Sequence, residues 1–159
     1  MSLEDFNALP EQEAAERLRT CLDVPRWVDT ILAGRPYGDQ DALLAVARNA
    51  ATEMTDDELA AALARHPRIG EKAGAGHDAA FSVREQAGVE ASDADRLVAA
   101  NRAYEDRFER VFLIRAAGRG SDEILAECQR RLGNDDETER AETIEQLTQI
   151  ALLRLEQVI

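Results

Sequence analysis

Apolar residues recur along most of the chain at spacings of three and four residues, which is the pattern of helices that bury one face. After Pro10, for example, the apolar positions are Ala14, Leu18, Cys21 and Leu22. The pattern and the signals that interrupt it predict helices that begin near Pro10, Pro25, Asp39, Thr55, Ser82, Ser92, Ser121 and Asp135. The sequence therefore predicts a mostly helical protein.

Residue types that favour helix starts mark several of these segments. Proline suits the first position of a helix, as at Pro10. Thr55 and Glu58 have the spacing of a capping box, in which each side chain accepts a hydrogen bond from the other residue's backbone. Ser121 is expected to cap the helix that follows it.

The longest loop-like stretch runs from residue 68 to 81, directly after Pro67 breaks the preceding helix. It contains Gly70, Gly74 and Gly76, and a loop of this length in a compact domain is usually either functional or disordered. We therefore predict an all-α fold, a single-domain helical bundle of roughly eight helices over residues 1–159 with one long active-site loop.

Composition strengthens the helical prediction and narrows the possible partners. Aromatic residues make up only 4% of the chain, and Ala and Leu supply much of its 45% hydrophobic content. The formal net charge of −13 repels nucleic-acid phosphates and anionic membranes, so we expect neither as a partner. One or two arginines in a pocket would still admit an anionic small-molecule substrate.

The cysteines and the N-terminal segment bear on the cellular compartment. Cys21 and Cys128 lie in predicted helices without a C-x-x-C motif, so we expect two buried thiols. The N-terminal segment is acidic and lacks the layout of a signal peptide. No apolar run approaches the roughly 18 residues of a membrane span. We expect a cytoplasmic protein.

His66 is the first candidate for chemistry. It stands at a predicted helix end, between the helix and the glycine-rich loop, where a side chain can reach a ligand. Its reference pKa of about 6.5 suits it to act as an acid or base near neutral pH. The structural alternative, which position alone favours, is that His66 interacts with the carbonyl groups at the helix end.

A second candidate lies at the predicted helix start near Ser82. Ser82 and Glu85 have the S-x-x-E spacing that a capping box explains, and spacing alone favours that explanation. The functional alternative is that the Ser82 hydroxyl, the Glu85 carboxylate and the Gln86 amide form part of a binding site. The free backbone N–H groups of a helix start would then face an anionic or carbonyl-rich ligand.

Two further candidates lie in the C-terminal half of the chain. We expect Tyr104, Phe108, Phe112 and Ile114 to pack in the core. However, a short strand-like run in a helical protein leaves backbone groups that need partners, and an amide-rich heterocycle would supply them. Arg154, in an Ile/Leu-rich stripe, either extends to solvent or grips a carboxylate with its planar guanidinium.

Other chemistries have little support in the sequence. His77 is the only other histidine, and it lacks the i, i+4 spacing to His66 that a helical metal pair needs. The sequence contains no P-loop, no dinucleotide fingerprint and no G-x-S-x-G motif. The residues by themselves indicate a helical domain with a His/Glu/Arg site and no metal, without naming a reaction.

Four motifs, in order along the chain, resemble the OHCU decarboxylase family. They are HPRIG from His66, S-x-x-E-Q-x-G from Ser82, N-x-x-Y-x-x-R-F from Asn101, and VFLIRAAGR from Val111. The similarity extends from LEDFNALP, through the W-x-x-x-(I/M)-x-x-x-RP pattern that begins at Trp27, to IALLRL. The family converts 2-oxo-4-hydroxy-4-carboxy-5-ureidoimidazoline to (S)-allantoin in urate breakdown.

The resemblance implies roles for the candidate residues, and it also implies a homodimer. His66 would be the catalytic acid or base, and Glu85 its partner in proton transfer. The implied substrate-binding residues are Ser82 and Gln86 for the ureido and ring amides, Pro67 as a pocket wall, Arg154 for a substrate oxygen, and the backbone at Phe112, Ile114 and Ala116. One position departs from the family pattern, because Glu109 stands where the family usually has glycine.

The chemistry of this substrate explains why we expect no cofactor. Its carboxylate is attached to a carbon that bears a hydroxyl and adjoins a C=N bond. That bond accepts the electron pair left when CO2 departs, so no pyridoxal or thiamine group is needed. Two proton transfers remain, and they suit His66 and Glu85.

Two other functions stay open on the sequence. In the first, the chain would be a different lyase or a hydrolase that acts on a related ureide. Substrate profiling would distinguish this function from the decarboxylase. In the second, the chain would be a non-catalytic acidic adaptor that binds a partner through an amphipathic helix face. An adaptor would tolerate exchange of His66 and Arg154, but it leaves the ordered motifs unexplained.

Overall fold

The computed structural model of the chain describes residues 1–66 and 94–159. In these two ranges it contains eight α-helices and no strand: α1 (Leu3–Ala8), α2 (Glu11–Cys21), α3 (Pro25–Ala33), α4 (Gln40–Thr52), α5 (Asp56–Leu63), α6 (Ala94–Phe108), α7 (Ser121–Arg131) and α8 (Asp136–Val158). The prediction of an all-α fold with roughly eight helices is confirmed. The loop predicted at residues 68–81 and the helix predicted near Ser82 lie outside the described residues.

Helix α1 was not predicted, because six residues are too few to show a helical period. A capping box forms it: the Ser2 hydroxyl accepts a hydrogen bond from the Asp5 N–H, and the Asp5 carboxylate accepts one from the Ser2 N–H, both at 3.1 Å. None of the described helices is long and apolar enough to cross a membrane.

The chain divides into two compact units. The first contains Met1–Ala62 and Thr148–Ile159, and the second contains Leu63–Leu147. This division does not test the prediction of a single domain over residues 1–159, which stays a prediction.

In the first unit, α3 packs against α2 and α4. Trp27 and Ile31 of α3 are fully buried, and the Trp27 indole N–H donates a hydrogen bond to the Ala47 carbonyl of α4 at 2.9 Å. The W-x-x-x-I part of the family pattern therefore forms core packing rather than a reactive site.

The segment after α3 is tied to the end of α1 by side-chain hydrogen bonds to backbone. The Asn7 amide accepts from the Tyr37 N–H and donates to the Tyr37 carbonyl, each at 2.9 Å. Arg35 donates to the carbonyls of Phe6 and Leu9 at 2.8 and 2.9 Å. The LEDFNALP and RP motifs thus hold each other in place, which is a structural role.

In the second unit, α6 packs against α7 around a buried cluster. Its members are Leu97, Tyr104, Phe108, Phe112, Ile114, Ala116, Ile124, Leu125 and Cys128. The prediction that Tyr104, Phe108, Phe112 and Ile114 pack in the core is confirmed. Cys128, like Cys21 in the first unit, is a buried free thiol, as predicted.

One predicted helix cap is confirmed and one is wrong. The Thr55 N–H donates to the Glu58 carboxylate at 2.9 Å, and the Glu58 N–H donates to the Thr55 hydroxyl at 3.2 Å, which is the expected capping box. Ser121, in contrast, is the first helical residue of α7. Gly120 takes the extended N-cap conformation, so the helix begins one residue earlier than predicted.

Glu109, directly after α6, has a φ of 58°. Its backbone N–H donates to the Glu105 carbonyl at 2.8 Å, which closes the C-terminal turn of the helix. This left-handed conformation crowds the Cβ of an L-residue, whereas glycine adopts it freely. The glycine that the family usually has here would therefore suit the same backbone path without strain.

We expect Glu109→Gly to raise the free energy of unfolding by about 0.5–1 kcal/mol, because relief of left-handed strain exceeds the added chain entropy of glycine. Urea denaturation monitored by helical circular dichroism measures the change. Ala103→Gly, at an exposed position within α6, is the matched control and should lower stability by about 1 kcal/mol. Equal destabilisation by both substitutions would contradict the strain at Glu109.

Candidate functional site

The predicted site residues fall partly within the described ranges. Those described are His66, Phe112, Ile114, Ala116 and Arg154. Pro67, Ser82, Glu85 and Gln86 lie outside the described residues, and their predicted roles stay predictions.

His66 is half-buried and follows the end of α5. The sequence predicts a helix that continues to His66, but the helix ends at Leu63, and residues 64–66 form a turn. A proline disfavours the helical conformation of the residue before it, here His66, so the helix stops short of His66. The His66 backbone N–H donates to the Leu63 carbonyl at 3.1 Å. This contact anchors the His66 backbone to the helix end.

Arg154 lies on α8 with only 1% of its surface exposed. The alternative in which this side chain extends to solvent is therefore wrong. A buried guanidinium must donate its hydrogen bonds to partners other than bulk solvent. Burial raises the pKa of the Cys21 thiol to about 12, and the positive charge of Arg154 is one of the effects that oppose this shift.

Residues 111–116 are neither helix nor strand. The side chains of Phe112, Ile114 and Ala116 are buried in the core cluster, so a ligand at these residues would meet their backbone and not their side chains. This agrees with the backbone role that the resemblance implies for them.

Three backbone groups of this segment have partners within the protein. The Ala116 carbonyl accepts a hydrogen bond from the Arg119 N–H at 3.0 Å. The Leu113 carbonyl accepts a hydrogen bond from Arg131 at 2.6 Å, and the Arg115 N–H donates to the Gln146 side-chain oxygen at 2.9 Å. The expectation that a ligand supplies the partners of this run is therefore wrong for these three groups.

Arg131 belongs to a buried polar network in the second unit. Its Nε donates to Glu139 Oε1 at 2.7 Å, and its Nη2 donates to the same oxygen. Nη2 also donates to the Thr143 hydroxyl at 3.2 Å. The Tyr104 hydroxyl also donates to Glu139 Oε1, at 2.5 Å. Arg131 is 2% exposed, while Glu139 and Thr143 are fully buried.

This network compensates two buried charges. An isolated ion in the interior is strongly unfavourable, but paired charges with additional hydrogen bonds are tolerated. Burial, followed by the hydrogen bond to Glu139, raises the pKa of Tyr104, so its hydroxyl stays a donor at neutral pH. The Arg131 guanidinium also lies 4.7 Å from the centre of the Phe112 ring, within cation–π range.

Arg131 and Glu139 were not among the predicted site residues, although the sequence contains a signal for them. The buried residues of α7 are Ser121, Ile124, Leu125, Cys128 and Arg131, so the arginine continues the apolar spacing of that helix. Glu139 stands four and eight residues before Thr143 and Leu147, on one face of α8. Opposite charges at core positions of successive helices predict a buried pair.

The N-x-x-Y-x-x-R-F motif is also structural at the residues whose contacts are known. Tyr104 joins the buried network, and Arg107 forms an ion pair with Asp136 at 3.0 Å. Arg107 also donates to the Asn134 carbonyl at 3.2 Å and stacks over Phe108. The motif therefore links α6 to the start of α8.

Within residues 1–66 and 94–159, no group of three or more His, Cys, Asp or Glu side chains is placed to hold a metal ion. The expectation that the protein uses no metal stays a prediction.

We expect Arg131→Met to lower the free energy of unfolding by about 3–5 kcal/mol, because it leaves the Glu139 carboxylate buried without its cation. Adding Glu139→Met should recover part of this loss, since the double variant contains neither charge. Urea denaturation of both variants measures the two changes. A double variant no more stable than the single one would show that the uncompensated charge is not the cause.

The family model for OHCU decarboxylase matches residues 7–156 of the chain. A uric acid degradation bifunctional protein from Bacillus sp. (strain TB-90) is 26% identical over 164 residues, which span 99% of this chain and 32% of that protein. The 2-oxo-4-hydroxy-4-carboxy-5-ureidoimidazoline decarboxylase of Amia calva is 28% identical over 166 residues, which span 100% of this chain and 95% of that protein. The chain thus spans about a third of one relative and nearly all of the other.

Two crystal structures share the fold. The structure of OHCU decarboxylase in the presence of (S)-allantoin has a TM-score of 0.74 at 21% identity, with 90% of this chain and 96% of that chain covered. The structure of (S)-allantoin synthase has a TM-score of 0.75 at 18% identity, with 100% and 54% covered. Together with the family match over residues 7–156, these observations lead to one conclusion: the chain belongs to the OHCU decarboxylase family.

Proposed function

We propose that the chain converts 2-oxo-4-hydroxy-4-carboxy-5-ureidoimidazoline to (S)-allantoin and CO2, with His66 and Glu85 as the acid–base pair. The observation that carries the reaction is the family match over residues 7–156. Membership of this family makes the chain a carboxy-lyase of urate degradation. The half-buried position of His66, anchored by its backbone to the end of α5, supports its role.

In the proposed reaction, the bond between the ring carbon and the carboxylate breaks and CO2 leaves. The electron pair of that bond forms a carbon–carbon double bond, and the neighbouring C=N nitrogen gains a proton from the solvent. The resulting enol loses its hydroxyl proton, and the carbon that bears the ureido group gains a proton on one face. His66 and Glu85 would perform the last two transfers, acting as base and acid.

The proposed binding groups are those that the resemblance implies. Ser82 and Gln86 would bind the ureido and ring amides, Pro67 would form a pocket wall, and Arg154 would hold a substrate oxygen. The burial of Arg154 supports a role away from the protein surface. The burial of the Phe112, Ile114 and Ala116 side chains supports binding through their backbone groups.

We also propose that the reaction needs no cofactor, because the substrate's own C=N bond accepts the electron pair. The protein would act in the cytoplasm as a homodimer. The free thiols of Cys21 and Cys128 are compatible with a reducing compartment. The homodimer rests on the family resemblance, and sedimentation analysis of the full chain tests it directly.

The activity is tested by supplying urate to uricase and hydroxyisourate hydrolase, with and without this protein, and following circular dichroism. We expect rapid appearance of (S)-allantoin that EDTA does not diminish. Unassisted decay is slow and gives racemic allantoin, with little lasting optical signal. If folded protein leaves the decay unchanged, the proposed reaction is wrong, and other ureides are the next substrates to test.

The role of His66 is tested by His66→Gln, which removes the acid–base group. We expect kcat to fall by about 10²–10⁴-fold, the usual contribution of such a group. A matched change at the chain's only other histidine, His77→Gln, shows whether the loss is specific to His66. Full activity of His66→Gln would refute the proposed role.

A further inference from the structure

We infer that Arg131 and Gln146 are positioning residues for the substrate-binding backbone of residues 112–116. Arg131 fixes the Leu113 carbonyl, and Gln146 fixes the Arg115 N–H. The inference rests on the proposed function, in which backbone groups of this segment contact the substrate.

The first contact is rigid because the guanidinium is planar and its donors have fixed directions. Glu139 accepts from Nε and from a second nitrogen of Arg131, which sets the plane of the group. The third nitrogen, Nη1, then points at the Leu113 carbonyl at 2.6 Å. With Arg131 2% exposed, this geometry has little room to change.

The second contact lies two residues further along the segment. Gln146 of α8 accepts from the Arg115 N–H at 2.9 Å. In an extended backbone, alternate residues direct their N–H and C=O groups to the same side. Contacts to Leu113 and Arg115 fit this alternation, and the backbone groups of Phe112 and Ile114 would then point to the opposite side, together with the Ala116 N–H. These are the residues assigned to the substrate. The Ala116 carbonyl is held by the Arg119 N–H at 3.0 Å.

The two anchors therefore act on the substrate indirectly. Neither side chain is assigned a contact with the reacting atoms. Each binds a backbone group on one side of the segment and thereby orients the neighbouring peptide groups on the other. Loss of an anchor should weaken substrate binding while leaving acid–base chemistry intact.

Gln146→Met is the main test, since it removes the acceptor from a half-buried side chain without breaking an ion pair. We expect KM to rise about tenfold with kcat changed less than about twofold, the pattern for loss of one well-placed binding interaction. Gln146→Glu retains an oxygen acceptor and should restore the wild-type KM. The pH profile of kcat should be unchanged in both variants.

Arg131→Lys tests the other anchor. The lysine ammonium retains the charge opposite Glu139 but lacks the fork that reaches both Glu139 and Leu113. We expect the same increase in KM. Tyr104→Phe is the matched control, because it removes a hydrogen bond to Glu139 and leaves the Leu113 contact in place. Its KM should equal that of the wild type.

Amide hydrogen exchange over residues 111–117 gives a readout that needs no turnover. Exchange there should be faster in Gln146→Met and Arg131→Lys than in Tyr104→Phe and the wild type. If the wild type is active but Gln146→Met has an unchanged KM or unchanged exchange, the positioning role is overturned. A wild type without decarboxylase activity instead overturns the proposed function, and the inference with it.

Discussion

The second unit depends on a buried ion pair between Arg131 and Glu139. Residues 111–116 form no ladder with another strand in the described chain, so their backbone groups require other partners. Arg131 supplies one at the Leu113 carbonyl and is itself stabilised by the Glu139 carboxylate. The buried guanidinium thus supplies the hydrogen-bond donor that the buried carbonyl needs, and the carbonyl supplies an acceptor. Because Tyr104 also donates to Glu139, the same pair joins α6, α7 and α8.

The residues of the family motifs fall into two groups, those that join helices and those that the proposed chemistry uses. Trp27, Arg35, Tyr104 and Arg107 contact backbone carbonyls or carboxylates, and their roles are to join helices. The proposed chemistry instead uses a histidine after a helix end together with backbone groups of an irregular segment. Polar groups in such positions are not consumed by helical hydrogen bonding, which makes them suitable for binding a ligand rich in amides. The contacts that join helices thus differ from the groups that the proposed reaction uses.

The helices were largely predictable because their signals are local. The three-to-four-residue period, the Thr55–Glu58 capping box and the boundary residues all act within one or two turns. Errors arose where a single residue decided the outcome, as at Ser121, where Gly120 took the cap position. The end of α5 at Leu63 and the short α1 were likewise beyond a periodicity argument. Glu109 shows the reverse case, in which a position usually occupied by glycine indicated a special backbone conformation.

By itself, the sequence determined the all-α class, the buried thiols, the aromatic core of the second unit and the candidate residues carried by the family motifs. Each of these follows from residue type, local spacing or motif order. Only the tertiary structure decided that Arg154 is buried and that Arg131 and Glu139 form a pair. It also decided that Leu113 and Arg115 use protein partners. The direction of a long side chain and the partner of a backbone group depend on which distant residues fold next to them, and no local pattern contains that information.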